Sequence, residues 1–223
     1  MLFTKKPVEM YTDVEGLRNK YVQLMSTYVK REGVDDLLYY LDNHTDFFDA
    51  PASTKYHGNF HGGLCLHSLN VAKELIKSLY AYGYIKKGEP DENTKIESAY
   101  LAALTHDLCK TNFYRWGTRN VKDENGKWVT VPYIDVDEDF PFGHGEKSVY
   151  LVSKYIKLTD EEAVAIRWHM GDYSEAKGAC SQGFNLSPLA LFLHQADERA
   201  ASLLEKTYDY VHDCWEKESK SCM

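Results

Sequence analysis

Along much of this chain, apolar residues recur three and four positions apart, which places them on one face of a helix. Leu17, Tyr21, Leu24, Met25 and Tyr28 form one such stripe, and after Gly33 the residues Val34, Leu37, Leu38 and Leu41 form another. Thr12 followed by Glu15 has the form of a capping box and predicts a helix start with Thr12 as N-cap. A third stripe opens near 64–67, carries His67 in its first turns and continues through Val71, Leu75 and Leu79, until Gly83, Gly88 and Pro90 end it. The segment 94–109 is apolar nearly all round, the pattern of a buried helix. Helices are also predicted over 146–157, from the Thr159–Glu162 capping box through Ile166, and from Ser187-Pro188 to about 210.

One stretch breaks this period. Aromatic and β-branched residues flank Asn125-Gly126, a strong hairpin signal, and predict strands over 113–121 and 127–134. Segments 47–63, 135–145 and 172–182, rich in Gly, Pro and polar residues, read as loops. No alternation of strands with helices points to a parallel sheet. The expected fold is therefore all-α: a single helical domain with an inserted β-hairpin near 113–134. Its parts are N-terminal helices over 1–46, a core over 47–210 and a polar tail over 211–223.

Composition narrows the possible functions. The 223 residues are 43% apolar, enough for one packed domain. A net charge of −8 argues against a long nucleic-acid footprint, which needs a basic stripe. The five cysteines are odd in number and lack CxxC spacing, so they read as free thiols in a reducing compartment. No apolar run reaches the roughly 20 residues that span a bilayer, and no apolar segment follows Met1 to Lys6 as a signal peptide requires. A cytoplasmic location is expected.

The candidate chemistry is a set of metal-ligand residue types at helix ends and on apolar faces: His67, His106, Asp107, His144, His169 and Asp197. Asp197 lies one position from the Leu193, Ala196, Ala200 stripe, and a carboxylate facing a core needs a cation or several donors. Each of these residues alone has an ordinary structural explanation, as a core histidine, a loop histidine or a helix cap. Six together are harder to explain that way. His67, His106, Asp107 and Asp197 suffice for one metal, and Asp107 can bridge to a second completed by His144 and His169. Imidazole and carboxylate without thiolate suit Mn, Fe, Zn, Ni or Mg and do not choose among them. Two such ions roughly 3.5–4 Å apart clamp the attacking and leaving oxygens of an in-line displacement and generate hydroxide from bound water.

The order His67, His106-Asp107, Asp197 resembles the HD-domain phosphohydrolases, all-α metalloenzymes that hydrolyse phosphate esters. The resemblance is closest to the HD domain of bacterial 3′–5′ exoribonucleases and their stand-alone relatives. It rests on Ala50-Pro51-Ala52-Ser53, His57, Gly62-Gly63-Leu64-Cys65-Leu66-His67-Ser68, His106 to Lys110, Gly143-His144 and Asp197. Where relatives often have His-His-Gly, this chain has Trp168-His169-Met170-Gly171. No counterpart of the exoribonucleases' RNA-binding OB domain is present. The resemblance implies a metal-dependent phosphohydrolase acting on a small nucleotide or short single-stranded nucleic acid, with Asp107, Lys110 and His57 in catalysis. His61, Lys110, Arg115 and Arg167 are candidates for holding the substrate, with Lys177 a further one. The competing expectation is a non-catalytic, nucleotide-sensing module of the same fold.

Overall fold

A computed structural model describes residues 13–172 and 178–205. Its middle is helix α3 (Gly63–Ala81), which packs against α4 (Glu92–Thr105) on one side and α8 (Pro188–Arg199) on the other. Helix α6 (Asp160–Trp168) closes the bundle against α4, α8 and α5 (His144–Ser153). Helices α1 (Val14–Tyr28) and α2 (Val34–His44) belong to the same apolar cluster, which runs from Leu17 to Ala200. Tyr21 ties α1 down: its ring is fully buried and its hydroxyl donates to the Leu104 carbonyl at 2.7 Å. No helix among the described residues is long and apolar enough to cross a membrane.

The all-α expectation holds, with the hairpin as the single sheet among the described residues. Strands β1 (Tyr114–Lys122) and β2 (Trp128–Val136) pair antiparallel from Tyr114↔Val136 to Lys122↔Trp128. Most of β1 is exposed, so the hairpin stands off the bundle. Its loop is longer than a two-residue Asn-Gly turn. The Asp123 carboxylate accepts from the amides of Asn125 and Lys127, and Gly126 takes φ +76°.

Four boundaries differ from the sequence expectation. The first N-cap is Asp13, whose carboxylate accepts from the Gly16 amide at 2.8 Å, while Thr12 lies outside the described residues. Aspartate caps a helix as well as threonine does and adds a charge that the helix dipole favours. Helix α4 ends at Thr105, and Asp107 leads into a 3₁₀ turn (Leu108–Lys110). His144 opens α5 and is not in a loop. A helix, α7 (Ala179–Leu186), occupies part of the predicted 172–182 loop. Its Gly183 packs on α6: a Cβ there would sit 2.8 Å from Cδ1 of Trp168. Cys65, Cys109 and Cys180 are buried free thiols; Cys214, Cys222 and the predicted tail lie outside the described residues.

The Thr159 capping box forms as expected, and its Glu162 carboxylate has a second task. Fully buried, it takes a bidentate pair of hydrogen bonds from Arg31, both at 2.6 Å. Burial alone would raise its pKa, but Arg31, Ser98 and the Thr159 amide hold it below the ordinary glutamate value. A depressed folded-state pKa gives stability that is present above the unfolded value, about 4.3, and lost as pH falls through the folded one. Glu162→Ala is expected to lower unfolding stability by about 3 kcal/mol, since it removes a cap and leaves Arg31 without its buried partner. Urea melts at pH 7 and pH 3 check this, with the difference between the two proteins shrinking at the lower pH.

Candidate metal centre

Two histidines reach the centre from helix ends by a shared device. His106 and His169 follow the last residues of α4 and α6, and each ring folds back onto its own helix. Nδ1–H of His106 donates to the Ala103 carbonyl and that of His169 to the Ile166 carbonyl, both at 2.7 Å. A carbonyl accepts only, so these contacts fix the tautomer and leave Nε2 as a lone pair. His67, in the second turn of α3, is held differently. Its Nδ1 lies 3.0–3.1 Å from both oxygens of Glu205, which also accepts from Asn70 Nδ2 at 3.1 Å.

The free nitrogens converge. His67 Nε2 is 3.3 Å from His106 Nε2, 3.1 Å from Asp197 Oδ1 and 3.5 Å from Asp107 Oδ2. His144 Nε2 and His169 Nε2 lie 3.0 and 3.3 Å from the other oxygen of Asp107, Oδ1. Lys110 places its amine 2.7 Å from Asp107 Oδ2. The two carboxylate oxygens of Asp107 thus face two different pairs of imidazoles. Every one of these side chains is buried except His144, which is one-third exposed.

Acceptor atoms this close repel unless a positive charge lies among them. His169 Nε2 makes this concrete: it is buried, hydrogen-bonds to nothing and faces a carboxylate. The titration shifts describe the same demand for a cation. Burial opposes charge on His67, yet Glu205 and Asp197 raise its pKa to about 10. Asp107 is held well below the usual carboxylate range against its own burial, by Lys110 and the histidines. His106 goes the other way, lowered to about 4 chiefly by burial. Two of the compact ligand groups are His67, His106, Asp197 and His106, Asp107, His169, so the donor set fits one or two divalent ions.

The model of the HD domain family matches residues 65–204, which contain all six of these ligand-type side chains. The chain belongs to the HD-domain family. That family comprises metal-dependent phosphohydrolases, in keeping with the donor set. No curated protein and no solved structure matches the chain.

The other candidates of this HD domain divide. His57, in the loop before α3, is brought in. Ser53 Oγ accepts from its amide and donates to its carbonyl, which places the ring 4.9 Å from that of His67 and its Nε2 4.0 Å from Glu205. Burial and His67 lower its pKa to about 4, so at pH 7 the ring is neutral and a poor proton donor. His61, Arg115 and Arg167 do not join the cluster. His61 is exposed, bound to Asp49 at 3.0 Å and stacked on Trp116; Arg115 pairs with Asp137; Arg167 pairs with Glu146 and lies over the Trp168 ring. Each was a basic residue near a ligand in sequence but is satisfied by an acidic or aromatic neighbour. Lys177 lies outside the described residues. Trp168 packs against Gly183 of α7, so the tryptophan fills the α6–α7 contact.

Glu205 escaped the sequence reading. In a regular helix of about 3.6 residues per turn, the residue seven after Asp197 shares its face, not the eighth. Residues Ala200–Leu204 form a π-helical turn, and the extra residue rotates Glu205 back toward α3.

Proposed function

We propose that this HD domain hydrolyses a phosphate ester of a nucleotide or short nucleic acid. His67, His106, Asp107 and Asp197 would hold one divalent ion, with Asp107 shared with a second held by His144 and His169. The observation that carries this reading is the split of Asp107, whose Oδ2 faces His67 and His106 while Oδ1 faces His144 and His169. A divalent ion bound there supplies Lewis acidity toward the phosphoryl oxygens and lowers the pKa of water.

The chain's own residues set up the rest. Nδ1 contacts to Ala103, Ile166 and Glu205 keep three imidazoles aimed, so no reorientation is needed when substrate arrives. Lys110 is the cation nearest the shared carboxylate and is positioned to neutralise charge gathering on the phosphoryl group. His57, half-buried and with its pKa lowered to about 4 by burial and His67, lines the His67 side of the site and orients substrate. Trp116 supports a nucleotide-type substrate: it is an aromatic ring 40% exposed, with His61 stacked on one of its faces. The net charge of −8 favours a small substrate over a long strand.

The test is hydrolysis of bis-p-nitrophenyl phosphate by protein stripped with EDTA and reloaded with Mn²⁺. Turnover should require the metal and disappear again on chelation. An absence of metal-dependent turnover on this and other phosphoesters would refute the reading.

A further inference from the structure

Next to the metal centre lies a pocket of about 310 Å³ whose wall includes Lys110, His144, Phe113, Pro141 and Lys147. Lys110 and His144 both contact Asp107, so the pocket opens directly onto the centre. Its wall also includes Lys147, a residue with no part in the ligand set. Lys147 is on the first turn and a half of α5, three residues after His144, and only 7% exposed. Its amine lies 5.6 and 5.9 Å from the ring centroids of Phe113 and Phe140 and donates to Glu138 Oε1 at 2.8 Å.

Lysines are seldom this buried without a reason. The Glu138 contact does not provide one by itself, because the two partners depend on it unequally. Glu138 sits on the loop after β2, is one-quarter exposed, and the same oxygen already accepts from the Phe140 amide at 2.7 Å. It can release Lys147 and remain satisfied by that amide and water. Lys147, buried with two aromatic rings within 6 Å of its amine, depends on an anion for its charge. A displaceable carboxylate on a buried amine, in a pocket facing a phosphoester site, is the arrangement of an anion subsite.

We propose that this pocket binds a second phosphate of the substrate, one nucleoside unit away from the ester that is cleaved, with Lys147 as its cation and Glu138 as the group it displaces. The proposal rests on the phosphohydrolase reading above and specifies its substrate: a phosphorylated nucleotide ester in preference to an unphosphorylated one. At about 310 Å³ the pocket is at the small end for ligand sites, suited to one phosphorylated sugar and not to a strand.

The experiment compares thymidine 5′-(p-nitrophenyl phosphate) with the same ester carrying a 3′-phosphate, using the metal-loaded full chain. The wild type should favour the 3′-phosphorylated ester by 10- to 100-fold in kcat/KM, the range of a charge-assisted hydrogen bond. Lys147→Gln should reduce that ratio to near one, mainly through KM. Glu138→Gln should move the ratio the opposite way or leave it high, because it removes the competing anion. A purely structural salt bridge predicts something else, the same loss in both variants. Equal kcat/KM for the two esters in the wild type, or a ratio unmoved in Lys147→Gln, overturns the subsite. Failure to hydrolyse either ester with metal present refutes the phosphohydrolase reading itself, so the two failures are told apart.

Discussion

Asp107→Asn is expected to abolish metal-dependent phosphoester hydrolysis, with a loss of about 10³-fold or more in kcat. The substitution keeps the volume of the side chain and removes its charge, so packing against Cys109 and His106 is largely conserved. What is lost is the anion on which two imidazole pairs and Lys110 converge. If that anion holds both metals, several kcal/mol of transition-state stabilisation go with it, and each 1.36 kcal/mol is about a factor of ten in rate. Thermal melting supplies an independent readout. A ligand at 100 times its Kd stabilises by about 2.7 kcal/mol, which for a chain of this size raises Tm by about 5–11 °C. Wild type should show that rise with Mn²⁺ and Asp107→Asn should not. The variant will also melt lower in EDTA, since Lys110 loses its buried partner. His144→Gln separates bridging from simple ligation: it touches only Oδ1, so the metal content should fall from two ions to one per chain while the first site stays filled. Full metal content in His144→Gln would refute the bridging role of Asp107.

The helical frame was readable from period alone because each helix buries one stripe, and stripes such as Leu17, Tyr21 and Met25 are fully or nearly fully covered. Six ligand-type residues were readable for a related reason. His67, Asp197 and the pair at 106–107 fall where a helix turns toward the core, and a polar residue there needs a partner. Surface chemistry was not readable. Arg115 and Arg167 lay close in sequence to Tyr114 and His169, but the acids that satisfy them, Asp137 and Glu146, are set by the hairpin register and by the α5–α6 contact. No local pattern encodes either. Lys147 was missed because it reads as an ordinary helix lysine until the loop carrying Glu138 and Phe140 folds over it. Helix α7 was hidden because Ala179–Leu186 is short and carries two glycine neighbours, Gly178 before it and Gly183 within it, the latter kept small by its contact with Trp168.

Glu205→Gln is expected to weaken metal binding by about 10- to 100-fold while leaving the maximal rate at saturating metal close to wild type. Glu205 touches no other ligand of the centre than His67, and it does so through Nδ1, the nitrogen that faces away from Asp107 and Asp197. Its carboxylate therefore acts on the metal through the imidazole, orienting the ring and making Nε2 a stronger donor, and partners of this kind are worth that range in affinity. Glutamine retains an oxygen that accepts from Nδ1–H, so the ring keeps its orientation and only the charge is removed. That is why the loss should appear in the Mn²⁺ concentration needed for half-maximal activity and not in the plateau. A carboxylate that merely tied the end of α8 to α3 would show the reverse: a lower Tm in EDTA with unchanged metal affinity. Titration of the stripped variant with Mn²⁺, followed by activity and by melting, distinguishes the two. The π-helical turn makes a further demand. Deleting one residue of 200–204 removes the extra residue and leaves Glu205 seven positions after Asp197, on the same face of a regular helix, so metal affinity should stay near wild type and above that of Glu205→Gln.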